Sequence, residues 1–119
     1  MKKLFFITFL MISALGCVQK SYEKTVIFTL DVSNVKEKVE TVGLRGEGQP
    51  LSWDADLPMT PIKKDSLYTV KVSAKTGYKF AEVKFVVNGK FELEGKPNRR
   101  VVFDESRITN YNAKFNTEK

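Results

Sequence analysis

From Thr25 onward, apolar and polar residues alternate with a period of two, the spacing that sends successive side chains to opposite faces of a strand. "TVIFTLDV" (25–32) sets Val26, Phe28 and Leu30 against Thr25, Ile27 and Thr29, and "ETVGLRG" (40–46) places Val42 and Leu44 on one face. "SLYTVKVSA" (66–74) aligns Tyr68, Val70, Val72 and Ala74 against Leu67, Thr69, Lys71 and Ser73, and "AEVKFVV" (81–87) sets Val83, Phe85 and Val87 against Lys84 and Val86. "KFELE" (90–94), "RVVF" (100–103) and "YNAKF" (111–115) complete the series, the last with Tyr111, Ala113 and Phe115 in phase. No stretch shows helical periodicity.

About seven short strands separated by turns, in roughly 100 residues, predict an all-β fold of the immunoglobulin-like sandwich type. The longest irregular stretch runs from Gly46 to Asp65 through Pro50, Pro58 and Pro61, and it carries the only tryptophan, Trp53, inside "PLSWD". Long ordered loops on a sandwich are where binding residues gather.

Asn88-Gly89 is the strongest short hairpin signal in the chain. With a two-residue loop, Val87 pairs with Lys90, Val86 with Phe91 and Lys84 with Leu93. Directly opposed residues share a face, so Lys84 and Phe91 point the same way. The same register sets the core residue Phe85 beside Glu92, which implies either a bulge after the turn or an edge strand that soon leaves the core.

The start of the chain reads differently. "MKKLFFITFLMISALGC" has Lys2 and Lys3, an apolar run from Leu4 to Ile12, and small residues before Cys17, so residues 1–16 are expected to be an export signal. Cys17 is the sole cysteine, which rules out an intramolecular disulfide. Its position resembles a bacterial lipoprotein cleavage site, where the cysteine is lipidated (palmitate or a similar acyl chain) and becomes the mature N-terminus. Ala14 stands where that pattern has a large aliphatic residue, and ordinary cleavage before Cys17, leaving a periplasmic or secreted protein with a free thiol, is the alternative. Val18 in place of Asp points to the outer membrane of the cell envelope. Residues 17–24 then form a tether and residues 25–119 the domain.

The mature chain from Cys17 has 119 − 16 = 103 residues, enough for one domain with its own core. Losing Lys2 and Lys3 lowers the net charge from +6 to +4. That charge is spread among Glu and Asp rather than gathered in one patch, which argues against a nucleic-acid partner.

With no histidine and one processed cysteine, the sequence lacks the groups for Ser-His-Asp, Cys-His or ordinary zinc chemistry. Asp54 and Asp56 are close in sequence but read as turn formers, Gly43, Gly46 and Gly48 precede no helix, and no calcium-loop spacing occurs. The expectation is a binding protein that is not an enzyme and takes no cofactor.

"VGLRGEGQPLSWD" and "VKFVVNGKFELEGKPNRR", with the strands between them, resemble the starch- and glycogen-binding module families, over residues 25 to 105. The resemblance implies a carbohydrate-binding β-sandwich in which Trp53 is the first sugar-stacking aromatic, Lys84 hydrogen-bonds glucose hydroxyls and Asn98 closes the site. Phe91 stands where those families have a second tryptophan, a smaller ring without an indole N–H. The partners implied are an α-glucan, the membrane through a lipid anchor, and a glucan-processing enzyme or transporter.

Each residue also has a plainer reading: Trp53 as a loop anchor, Lys84 as a solvated strand position, Phe91 as core, Asn98 as a turn former after Pro97. Arg99 and Arg100 read as structural or solvated, with Glu92 or Glu94 as a partner. The alternative for the whole chain is an immunoglobulin-like structural or protein-interaction lipoprotein whose sugar site has degenerated.

Overall fold

The computed structural model describes residues 22–118. Cys17, the export signal and residues 17–21 of the expected tether lie outside them. Nine strands are described: β1 (Tyr22–Asp31), β2 (Val42–Gly46), β3 (Leu57–Pro58), β4 (Thr60–Lys63), β5 (Leu67–Thr76), β6 (Phe80–Val87), β7 (Lys90–Phe91), β8 (Arg99–Val102) and β9 (Ile108–Lys114). One sheet has the order β4-β5-β1-β9, and the other runs β3-β2-β6-β7, with β8 also paired to β6. β1 and β9 are parallel, while the other ladders are antiparallel.

The alternation read from the sequence decides what is buried. Val26, Phe28 and Leu30 of β1, Val42 and Leu44 of β2, Tyr68 and Val72 of β5, and Val83, Phe85 and Val87 of β6 all face the core. Phe28 and Phe85 meet edge-to-face across the two sheets, ring centroids 6.1 Å apart. Rings of this kind stabilise by about 1.5–3 kcal/mol each through burial, and the edge-to-face geometry aligns the ring edge of one with the electron-rich face of the other.

The structure departs from the sequence reading in three places. β1 begins at Tyr22, paired with Thr76, so residues 22–24 are laddered to β5 rather than free in a tether. The Gly46–Asp65 stretch contains β3 and β4, short edge strands that the prolines had hidden: the Pro58 and Pro61 side chains remain exposed, as edge prolines must be. β7 is only two residues long, where a five-residue strand over 90–94 was expected.

The third departure resolves the conflict between Phe85 and Glu92. Asn88 and Gly89 adopt φ of 52° and 78°, the left-handed pair that a tight hairpin turn requires, and Val87–Lys90 and Val86–Phe91 pair as the turn dictates. Asn88 also pins the preceding loop: its Oδ1 accepts the N–H of Glu40 and Thr41, and its Nδ2 donates to the Lys38 carbonyl. Past Phe91, the Glu92 N–H still donates to the Phe85 carbonyl (3.0 Å), but the Phe85 N–H donates to Glu92 Oε2 (2.9 Å) instead of to backbone. The side chain has replaced the ladder.

Glu92 is fully buried and Arg99 nearly so. Arg99 grips the carboxylate through Nε (2.6 Å) and Nη2 (2.8 Å), and its guanidinium also donates to the carbonyls of Lys114 and Thr117. Burial alone pulls the Arg99 pKa down, but hydrogen bonds with Glu92 and Tyr111 outweigh it and hold the guanidinium above its usual value. Of the two arginines read as structural or solvated, Arg99 is structural. It fastens the end of β9 to the β6–β7 hairpin.

Candidate functional site: the outer face of β2, β6 and β7

Residues that alternate with the core positions of β6 point to the opposite face, namely Glu82, Lys84 and Val86; Glu82 and Lys84 are partly accessible there, whereas Val86 is covered and only 2% exposed. Across the ladders, Arg45 of β2 lies opposite Lys84, and Phe91 of β7 lies opposite Val86. Phe91 is 42% exposed, so it is an outer-face ring and not part of the core. Lys84 and Phe91 share a face, although the strand pairing that was to carry Lys84 against Leu93 is absent.

The loop bearing Trp53 reaches this face through a small clip. Arg45 donates from Nε to Asp56 Oδ1 (2.6 Å) and from Nη1 to the Trp53 carbonyl (2.8 Å). The same guanidinium lies over the Phe91 ring, with Cζ 5.0 Å from the centroid, a distance at which a cation is attracted by the ring. Asp56 can drop onto the sheet because residue 43 is glycine: a Cβ there would sit 2.8 Å from the Asp56 Cβ. Trp53 and Phe91 are therefore joined through Arg45 rather than stacked on one another. Trp53 itself is half-buried.

Lys84 is not simply solvated. Its Nζ donates to the carbonyls of Leu93 (3.1 Å) and Lys96 (3.0 Å), capping the turn that follows β7. Two of the three ammonium donors are thereby engaged and one is left for a ligand. Asn98 is exposed and donates from Nδ2 to Glu82 Oε1 (3.3 Å), one outward position along β6 from Lys84; its Oδ1 makes no bond among the described residues. Lys84, Phe91 and Asn98 thus share one face or its rim, and the Trp53 backbone is held beside them by Arg45. Among the described residues, no group of three or more acidic or cysteine side chains comes together to hold a metal ion.

Two members of the cluster escaped the sequence reading. Arg45 was visible only as the polar phase of "ETVGLRG", because the pairing of β2 with β6 joins residues far apart in the chain. Asp56 was read as a turn former, whereas its carboxylate is the partner that holds Arg45 in place. Chemically, the face offers aromatic surface beside amide, ammonium and guanidinium donors, with Arg45 paired to a carboxylate and Lys84 hydrogen-bonded to carbonyls. Such a surface suits the C–H face and hydroxyl rim of a sugar ring.

No family model matches the chain, and no curated protein matches it. Among solved structures it is similar to the glycoside hydrolase family 15 glucoamylase from Hypocrea jecorina, at a TM-score of 0.60 and 16% identity, over 80% of this chain and 17% of that one. The likeness establishes a shared all-β sandwich fold. The chain corresponds in length to a small part of the glucoamylase.

Proposed function

We propose that this protein is a non-catalytic module that binds an α-glucan of the starch or glycogen type on the outer face of β2, β6 and β7. One observation carries the reading: the hairpin puts Phe91 and Lys84 on the same exposed face to which Arg45 clips the Trp53 loop. Fold likeness to part of a glucoamylase supports it. Each aromatic contact contributes about 0.5–1.5 kcal/mol beyond burial, so single sites bind weakly and gain from repetition along a polymer. A lipid on Cys17, holding many copies at the outer membrane, would supply that repetition. In this reading an enzyme or transporter that handles the glucan is the partner.

The competing reading, an interaction or structural lipoprotein with a lost sugar site, draws on a specific observation: Arg45 covers the Phe91 ring, and Lys84 and Asn98 already have internal partners. The single tryptophan separates the two. Titration with maltoheptaose should change Trp53 fluorescence, glycogen in a native gel should retard the protein, and Trp53→Ala should abolish retardation with the far-UV spectrum intact. No fluorescence change together with unretarded migration would leave the competing reading standing.

A further inference from the structure

The outer face does not end at Lys84. Phe80, the first residue of β6, is 40% exposed, and Val102, opposite it on β8, is 64% exposed. Arg100, opposite Glu82, lies over the Phe80 ring with Cζ 4.3 Å from the centroid. A second phenylalanine is therefore capped by a second arginine.

Side-chain alternation places Phe80, Glu82, Lys84 and Val86 on one face, and direct opposition adds Arg100 and Val102 at one end and Phe91 at the other. Val86 is itself buried, so the accessible group at its end is Phe91 across the ladder; at about 3.3 Å per residue the two phenylalanine ends are about 20 Å apart along the strand. That exceeds one sugar ring, so a ligand touching both ends must be a chain. Isolated exposed apolar residues need no explanation. Here, however, two rings with the same guanidinium arrangement bracket the row of hydrogen-bonding groups between them.

The charges along the row favour a neutral ligand. Arg45 is paired with Asp56, Lys84 donates to two neutral carbonyls, and Arg100 stands opposite Glu82 in the ladder, so three cations meet two carboxylates along the row. With a single excess positive charge spread over that length, the face is poorly suited to a polyanion and well suited to a hydroxyl-rich chain.

We infer that the glucan-binding face extends the length of β6, with Phe80 and Arg100 forming a second aromatic subsite that takes further sugar units of the same chain. The inference rests on the glucan reading of the Phe91 end. It is tested by calorimetric titration of the full mature protein with maltotriose and with maltoheptaose. The wild-type protein should prefer the longer chain by about two- to tenfold, the range expected of one aromatic contact. Phe80→Ala should bring the ratio of the two affinities close to one, and Phe80→Trp should raise it. Should Phe80→Ala disturb the far-UV spectrum, Phe80→Trp decides. Equal affinity of the wild-type protein for both saccharides, or a preference unmoved by both substitutions, overturns the extension while leaving the Phe91 end intact. Binding of neither saccharide overturns the glucan reading and the extension together.

Discussion

Two arginine–carboxylate pairs, each closed at 2.6 Å and each lying by a phenylalanine, occupy opposite faces of one sheet. Inside, Arg99 and Glu92 have side-chain exposures of 3% and 0%; outside, Arg45 and Asp56 have 24% and 32%. Both close through Nε, but Arg99 grips its carboxylate at two points and Arg45 at one, and their surroundings assign them different work. In the interior, neither charge has water to fall back on, so each depends on the other. On the outer face water screens both, and the pair contributes little to stability while still fixing the position of a loop.

The largest expected effect tests the inner pair. Glu92→Ala should lower the free energy of unfolding by about 3–5 kcal/mol, because it leaves a buried guanidinium uncompensated and removes the acceptor for the Phe85 and Asn116 N–H groups. Urea denaturation measures it. A loss below about 1 kcal/mol would mean that the inner pair behaves like a surface pair, and the contrast would collapse.

The same contrast explains what the sequence made legible. Periodicity identified the core of β1, β2, β5 and β6 because burial on one face imposes it, and Asn88-Gly89 placed Phe91 opposite Val86 because turn geometry sets short-range register. Glu92 broke the apolar pattern of its strand, and that break was the only local trace of the ion pair. Its partner is separated by the 93–98 turn, and choosing Arg99 over Arg100 requires knowing which face of β8 points inward. Arg45 was harder still, since nothing near it in sequence says that Lys84 lies across the ladder. The parallel pairing of β1 with β9 was illegible for the same reason. Long-range pairing leaves no local signature.

Asp56→Ala sharpens the comparison from the outside. The stability change should stay within about 1 kcal/mol, while Trp53, whose carbonyl is held by the same guanidinium, should become more accessible to acrylamide quenching. A multi-kcal/mol loss would make the outer pair structural in the same sense as the inner one. Unchanged quenching would show that Arg45 holds the Trp53 loop without help from Asp56.

The smallest effect concerns a carboxylate with no arginine at all. Asp31 ends β1, and its Oδ1 accepts the Ser33 N–H at 2.8 Å. Its pKa is lowered from the ordinary 3.8 by the Ser33 side chain first and the Ser33 backbone second, with a lesser contribution from Lys114, against a small opposing effect of burial. Because the folded value lies below the unfolded one, the native state holds fewer protons as the pH passes between them. The stabilisation is therefore present above pH 3.8 and lost as the pH falls through the folded value. Asp31 is partly open to water at the end of β1, so the gain is screened to well under about 1 kcal/mol. Asp31→Asn should be slightly less stable than the wild-type protein at neutral pH, and the gap should close in acid. A gap that persists to about pH 2 would assign the effect to something other than ionisation. Hydrogen bonds to a partly exposed carboxylate would then rank, with the outer arginine pair, as devices that shape the chain without stabilising it.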